Sequence, residues 1–497
     1  MTLLDLFDAA RSERADAPAV NGRSYAGLHA ASLRVARRLH EAGLRAGDRF
    51  ALYCENRLAF VYAYLAGLRL GAVIVPVNVL YRAAELEHVL SDAAVSLVLT
   101  SAGTRPHLAK AGAFGAVDAA AVEAWAMESG EPEPPPVAPG GDDDAAIIYT
   151  SGTTGRSKGA VLTHTNLAAI ASQVAVAWRW TSRDTLYVAL PLFHMHGLGA
   201  ALNGTFAAGG HLLFDERFDA ARTLETLHRD DVTMFFGVPT MYVRLLESLE
   251  GAPPRLRLWV SGSAALASDV FAGFEARFGA QILERYGATE FGFACTNRFG
   301  GPRVPGSVGI PTPGARVRVA APGSATPLPA GEVGEMLVAG PGVCRGYWGN
   351  PQATAEAFVL DEAGTRWYRS GDLARYDTAH DVYRIVGRIK ELIITGGFNV
   401  YPLEVEAEMR LCRGVRDAAL VGIADPARGE IPVAFVEADP GFDAEAFTAA
   451  LRERLASFKV PKAVRVVEAL PRNAMGKVEK PRLVQSYTAE ASPGREG

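Results

Sequence analysis

Between Ala146 and Gly287 short apolar runs alternate with amphipathic stretches at almost regular intervals, and this alternation limits the fold more than any other property of the chain. The runs AIIYT, TLYVAL, HLLF, VTMFFGV, RLRLWVSG and QILERYG have strand length. The intervening segments, Thr165 to Trp178, a stretch near Gly197, Asp219 to His228, Thr240 to Leu249 and Asp269 to Phe278, have helical periodicity. Apolar strands separated by amphipathic helices predict an α/β fold with mostly parallel sheets covered on both faces. Ligands bind such sheets outside the carboxyl ends of the strands. Those ends read TSGTTG, LPLFHMHG, FGVPT, VSGSAAL and ERYGATE, all rich in glycine or small polar residues.

The alternation already starts upstream, with a helical pattern from Tyr25 to Leu44 followed by RFALYC and later GAVIVPV. A Pro/Gly/acid-rich stretch from Glu128 to Ala145 breaks the pattern and reads as a solvated linker. From about Gly300 to Gly371 turn residues and short strands dominate. Beyond Arg388 the order strand, strand, helix, strand, strand, helix, strand predicts a separate α+β unit. A chain of 497 residues is too long for one core. The expected organisation is a large N-terminal domain over 1–388, with a β-rich subdomain over about 300–388, and a small mobile α+β C-terminal domain over 389–497.

Composition removes several classes of function. Lys+Arg 50 against Asp+Glu 55 leaves a net charge of −5, so no basic surface for nucleic acid is expected. Asp5 and Asp8 stand where an export signal would be basic and then apolar, and Arg69, Pro76 and Asn78 break the most apolar stretch, so a cytoplasmic chain without a membrane span is expected. Cys54, Cys295, Cys344 and Cys412 form no CxxC pair, which argues against disulfides and structural zinc. Only seven of the 50 basic residues are lysine, and Lys158 and Lys477 both stand beside glycines in loop-like sequence. A compact ammonium in place of the usual guanidinium points to positions with a defined task.

TSGTTGRSKG, Thr150 to Gly159, carries three glycines, five hydroxyls, an arginine and a lysine in ten residues. It follows a strand and is expected to precede a helix. Glycines let backbone N–H groups turn toward an anion, hydroxyls add donors, and Lys158 adds charge, so the segment suits phosphate. It lacks the GxxxxGK[ST] spacing of a Walker A loop, and no GxGxxG follows a strand. His194 and His196 in FHMHG have no carboxylate or cysteine at metal-ligand spacing, and VSGSAAL is not the GxSxG of a hydrolase nucleophile.

With TSGTTGRSKG, the segments LPLFHMHGL, ERYGATE, YRSGDLARYD, GRIKELIITGGFNVYP and PRNAMGKVEK follow in an order that resembles the adenylate-forming family of acyl- and aryl-CoA synthetases, luciferases and peptide-synthetase adenylation domains. The resemblance covers essentially the whole chain. It implies activation of a carboxylic acid with ATP to an acyl-adenylate, then transfer of the acyl group to a thiol. It further implies that Thr150, Ser151, Gly152, Thr153, Thr154, Gly155 and Lys158 hold phosphate, that Asp372 and Arg388 hold the ribose, and that Gly262, Ser263, Tyr286 and Gly287 pass the adenine and acyl group. Glu290 is the implied Mg²⁺ ligand, supported by Thr154 and Thr289. By the same resemblance His194 lies between acyl pocket and thiol channel, Lys477 bridges carboxylate and α-phosphate, and the small domain turns about Lys390 to bring in Gly396 and Gly397 beside the thiol. Only 20 residues follow Lys477, so no carrier domain is built in and coenzyme A is the simpler acceptor; loading of a separate carrier protein is the alternative. Acetylation of Lys477 by a lysine acetyltransferase would remove the charge that step needs.

The substrate turns on Arg285. FGVPTMY, VSGSAAL, LERYG, VPGSVG and ITGGFNVYP are similar to the malonyl-CoA synthetases, where the resemblance implies that this arginine holds the second carboxylate of malonate or methylmalonate. A guanidinium fork matches a carboxylate bidentately. Two alternatives stay open: Arg285 pairs with Glu284 or another acid, or Met195, Ser261, Phe291 and Phe293 line a pocket for a medium-chain or aromatic monocarboxylic acid. Ala288, Phe291, Phe293, Ala294 and Met195 depart from the malonyl pattern. The sequence gives no oligomeric state.

Overall fold

The computed structural model describes residues 1–130, 139–150, 157–229, 231–426, 428–473 and 476–490. The chain divides into two units, one of Met1–Val317 with Leu337–Arg369 and one of Arg318–Met336 with Ser370–Gly497.

The first unit is built on two sheets. In one, nine strands run in the spatial order Ile310–Pro311, Gly292–Thr296, Ile282–Ala288, Leu258–Ser261, Met234–Gly237, Thr185–Val188, His211–Phe214, Pro18–Val20 and Arg23–Ser24. Every pairing from Pro18–Val20 across to Ile282–Ala288 is parallel, and only the flanking pairs are antiparallel. Leu258–Ser261, Met234–Gly237 and Thr185–Val188 are buried at every position, as strands covered on both faces must be. The register pairs Gly237 with Ser261 and Ser261 with Glu284, and sets Val188 beside Phe236. Four of the glycine-rich segments therefore leave the sheet side by side. Beneath one face lies an aromatic core in which Trp259 meets Phe235 at 5.8 Å and Phe274 at 5.0 Å, and Phe274 stacks on Phe278 at 4.1 Å.

The helices begin where local chemistry satisfies their free amides. Thr163 and Asn166 form a reciprocal capping box that opens His164–Ala177, Asp219 caps Ala220–Leu227, and Pro239 stands in the first turn of Pro239–Ser248. The stretch near Gly197 is a π-helix, His196–Leu202, not an ordinary helical turn. Its wider turn seats Gly197 so close to the Pro191 carbonyl that a Cβ would lie 2.2 Å from that oxygen.

The second sheet of this unit orders Gly346–Tyr347, Lys158–Thr163, Asp144–Thr150, Val73–Pro76, Arg49–Tyr53, Val95–Thr100 and Ala116–Asp118. It corrects one expectation. TSGTTGRSKG does not lead into a helix, because Lys158–Thr163 returns antiparallel to Asp144–Thr150, with Thr150 opposite Lys158. The apolar run GAVLT is buried throughout and has more to gain as a strand than as a first helical turn. Ser151, Gly152, Thr153, Thr154 and Gly155 lie outside the described residues.

In the second unit the expected order recurs as Ile393–Thr395, Phe398–Val400, helix Pro402–Arg410, Val415–Asp425, Gly429–Ala438, helix Ala444–Arg454 and Ala463–Val467, closed by a further helix, Lys480–Glu490. Val405, Met409, Leu420, Phe447 and Leu451 share its core. Lys480, unremarkable in the sequence, is set between two carboxylates, 2.8 Å from Glu406 and 2.9 Å from Glu391. Its side chain is 15% exposed and that of Glu406 only 4%. Removing one member of a buried charge group leaves the others uncompensated, at about 3–5 kcal/mol. Lys480→Met should therefore destabilise this unit by about 3 kcal/mol, the low end of that range given its residual exposure. Faster hydrogen exchange at the Leu420 amide, which donates to Glu406, is the expected readout, and unchanged exchange would contradict it.

Candidate active site

Arg285 stands near the carboxyl end of Ile282–Ala288 and is 7% exposed. Side chains of a strand alternate between faces, so Glu284 points away, and its carboxylate accepts the Gly306 amide at 3.1 Å. The Arg285 guanidinium lies over the Phe293 ring, 4.7 Å from its centroid, and donates one long hydrogen bond of 3.4 Å to the Ser263 hydroxyl. Its Nε has no acceptor, and among the described residues no carboxylate pairs with it. Burial without a counter-charge pushes its pKa down to about 9. Gly262 makes the position possible, since a Cβ there would sit 2.4 Å from the guanidinium Nε. Ser263 takes up a left-handed φ of 71°, a conformation that costs a serine strain.

Around this guanidinium the structure gathers His194, Gly262, Ser263 and Phe293. His194 Nδ1 accepts the backbone N–H of His196 at 3.2 Å, so its neutral ring carries the proton on Nε2. Burial and the Arg285 charge lower the His194 pKa to about 4. His196, which the sequence offered only as a discarded metal ligand, is fully buried, stacks on Phe236 and faces the Ser263 hydroxyl at 3.5 Å. Ser261 is buried with its hydroxyl unpartnered, and Met195 is buried.

The hairpin of Ile282–Ala288 and Gly292–Thr296 carries Thr289 and Glu290 in its turn. Glu290 Oε1 accepts from the Tyr347 hydroxyl at 3.1 Å and from Thr150 at 3.4 Å, and Tyr347 in turn shares a hydrogen bond of 3.0 Å with Tyr368. Burial and the Glu290 charge push both phenols upward, so they remain donors. Lys158 lies over the Tyr347 ring at 5.3 Å, and Phe291 packs between Tyr286 and Tyr368. No group of three metal-ligating side chains occurs among the described residues. One carboxylate among hydroxyls fits a hard ion that keeps most of its waters, as Mg²⁺ does, and fits zinc poorly. Tyr347 carried no signal in spacing or composition; only a position two strands away in space exposes it.

The second unit assembles the other predicted residues. Asp372 Oδ1 pairs with Arg388 Nε at 2.9 Å across the strand pair that joins them, and the Asp372 amide donates to Ser370. Lys477 shares this neighbourhood. Burial and Arg388 lower its pKa, against the opposing pull of Glu391 and Asp372. Lys390 is exposed beside them, and Gly396 and Gly397, at φ of 57° and 83°, turn the hairpin between Ile393–Thr395 and Phe398–Val400. Left-handed φ at two successive positions is what a two-residue hairpin turn requires of glycine.

Comparison with known proteins decides what this assembly belongs to. The profile of the AMP-binding enzyme family matches residues 6–348, and that of the AMP-binding enzyme C-terminal domain matches residues 404–477. The chain is an adenylate-forming acyl-CoA synthetase of this family. ATP-bound MatB from Rhodopseudomonas palustris superposes on the synthetase with a TM-score of 0.91 at 38% identity, covering 99% of this chain and 100% of that one. A feruloyl-CoA synthase from Amycolatopsis sp is 37% identical over 92% of both chains. The mitochondrial malonate–CoA ligase of Mus musculus is 34% identical over 89% of this chain and 83% of its own. Among the described residues no helix of the synthetase is long and apolar enough to cross a membrane.

Gly287 joins the two halves of the site in the first unit, because a Cβ there would lie 2.1 Å from the Gly292 carbonyl oxygen, a backbone atom that cannot swing aside. Gly287→Ala should open the hairpin at a cost of about 1–3 kcal/mol or more. Trp178, which donates to Thr296 on the returning strand at 3.0 Å, reports it. A lowered denaturant midpoint followed by tryptophan fluorescence is expected, and a wild-type midpoint would show that the hairpin tolerates the methyl group.

Proposed function

We propose that the synthetase activates malonate, joining it to AMP with release of pyrophosphate and passing the malonyl group to coenzyme A. One observation carries this reading: a buried guanidinium at the carboxyl end of its strand with no carboxylate among the described residues to neutralise it. A desolvated charge without its partner is costly by about 3–5 kcal/mol. The distal carboxylate of a short diacid, received bidentately, removes that cost, whereas a monocarboxylic acid leaves it standing. Phe293, whose face the guanidinium covers, bounds the space and favours a small acid. The likeness to a feruloyl-CoA synthase supports an aromatic acid as the second reading.

The residues divide the work between two half-reactions. Glu290, with Thr150 and the Tyr347 hydroxyl that Tyr368 in turn contacts, would hold Mg²⁺, which when bound offsets charge on the ATP phosphates. Thr150 and Lys158 flank the phosphate segment, and Asp372 with Arg388 is suited to two ribose hydroxyls. Lys477 stabilises the approach of the carboxylate to the α-phosphate, a step in which a poor nucleophile meets a polyanion. His194, neutral at pH 7 because burial and Arg285 hold it near 4, adds no second cation to the acyl pocket. After adenylation the segment at Lys390 acts as the hinge, and Gly396 and Gly397 replace Lys477 beside the thiol. In that scheme 1–388 and 389–497 move as the two functional domains.

Lys477→Ala should lower adenylate formation, read as pyrophosphate exchange, by about 10²–10³, the loss typical of one positioned charge-stabilising group. Thioester formation from supplied malonyl-adenylate should fall far less, and equal losses in both halves would remove the role. A panel of acids with ATP, Mg²⁺ and coenzyme A tests the substrate. Malonate should exceed acetate, butyrate, benzoate and ferulate, and Arg285→Ala should cut kcat/KM on malonate by about two to four powers of ten, as loss of about 3–5 kcal/mol implies. A wild-type preference for a monocarboxylic acid would overturn the malonate reading, and preference for ferulate would establish the second one.

A further inference from the structure

Ser263 has one hydroxyl hydrogen and two nitrogen neighbours, Arg285 Nη2 at 3.4 Å and His196 Nδ1 at 3.5 Å. A guanidinium only donates, so the serine oxygen accepts there, and its single hydrogen is free to point at His196 Nδ1, the direction taken here. The imidazole is wholly buried beside a cation, which keeps it neutral. A neutral ring that accepts at Nδ1 carries its proton on Nε2. That Nε2–H is buried and has no partner among the described residues. The ring cannot readily turn away to find one, since it lies nearly parallel to Phe236, at 21° with centroids 6.1 Å apart. Arg285 Nε, on the other side of the same serine, is likewise buried and without an acceptor.

Two orphan donors that share one serine, with no carboxylate among them, form a receptor that lacks its acceptor. Buried polar groups are nearly always satisfied, so a pair left open in one place points to a ligand. We infer that His196 is a second recognition residue for the distal anionic group of the substrate, its Nε2–H donating to the same carboxylate that Arg285 pairs with. This rests on the reading of Arg285 above. It adds a role for the serine: Ser263, at φ 71°, places its hydroxyl between the two nitrogens, and by donating to Nδ1 it favours the tautomer that presents a donor at Nε2. A site that reads a group by hydrogen bonds rejects an acid lacking that group because its donors are then left unpaired.

The test measures kcat/KM for malonate and butyrate in the wild type, His196→Phe, His196→Gln, Arg285→Ala and the His196→Phe/Arg285→Ala pair. His196→Phe keeps a ring against Phe236 and should lower the malonate-to-butyrate ratio about 10- to 100-fold, the effect of one hydrogen bond to a charged group, chiefly through the KM for malonate. His196→Gln, whose amide N–H can reach the position of Nε2, should recover most of the ratio. The double variant should lose little beyond Arg285→Ala, because both groups act on one carboxylate. If Arg285→Ala shifts the ratio and His196→Phe does not, the inference fails and the malonate reading stands. If neither shifts it, both fail. Should His196→Phe not fold, Ser263→Ala is read instead: freeing the tautomer should lower the ratio several-fold, and an unchanged ratio overturns the assignment.

Discussion

The site in the first unit is organised by a positive charge that no carboxylate among the described residues neutralises. Arg285 sits at the end of a strand buried on both faces, and everything near it is arranged to leave its guanidinium room while withholding a carboxylate. Gly262 yields the volume, Ser263 accepts a strained backbone to place a hydroxyl, and Phe293 offers a ring face. The same charge keeps both imidazoles of FHMHG neutral, because burial and Arg285 act on them in the same direction. Remove the charge, and the reason for the glycine and the strained serine goes with it, while burial, the larger cause, still holds the histidines neutral.

The second unit shows the opposite design. Lys480 is met by Glu391 and Glu406, and Arg388 by Asp372. Glu391 belongs to the short helical segment that follows Arg388, and Lys480 stands three residues beyond Lys477, so this ion group ties the Lys477 loop to the Arg388 segment. In the role proposed for Lys477 such a tether would help, since misplacement by an ångström is costly in a positioned reaction. The charges named in the second unit are therefore paired, whereas Arg285 has no carboxylate among the described residues.

Periodicity disclosed the strands and helices of both units closely, because burial on two faces writes itself as continuous apolar runs such as MFFG and LWVS. It failed where a strand was short and polar at its start. Lys158 hid the strand Lys158–Thr163, and the hydroxyl-rich segment before it suggested a helix. The split of the nine-stranded from the seven-stranded sheet was also invisible, since the chain supplies Pro18–Val20 to one sheet and then Arg49–Tyr53 to the other. At the site, Arg285, Glu290, Asp372 and Lys477 stood in segments whose order marked them. Tyr347 lay outside those segments, and His196 and Lys480 stood inside two of them without a role being marked, because what these side chains face across the fold is not recorded in a one-dimensional pattern.

Overall identity is a weak guide to the acid this synthetase accepts. A feruloyl-CoA synthase is slightly more similar to it than a malonate–CoA ligase is, 37% against 34%, yet the acids in those two names differ in size and in charge. Identity summed over some 470 residues measures the shared scaffold of strands, caps and nucleotide groups, and function is decided at sites grafted on it. An apolar pocket discriminates by volume, and one methylene is worth only about 1–3 kcal/mol. A buried cation discriminates by whether it is answered, a larger quantity and one of defined sign. On the proposed reading a monocarboxylic acid would fill space beside Arg285 and leave it unpaired, whereas a diacid would pair with it. The substrate is therefore better read from the missing counter-charge of one side chain than from the average of the other 496.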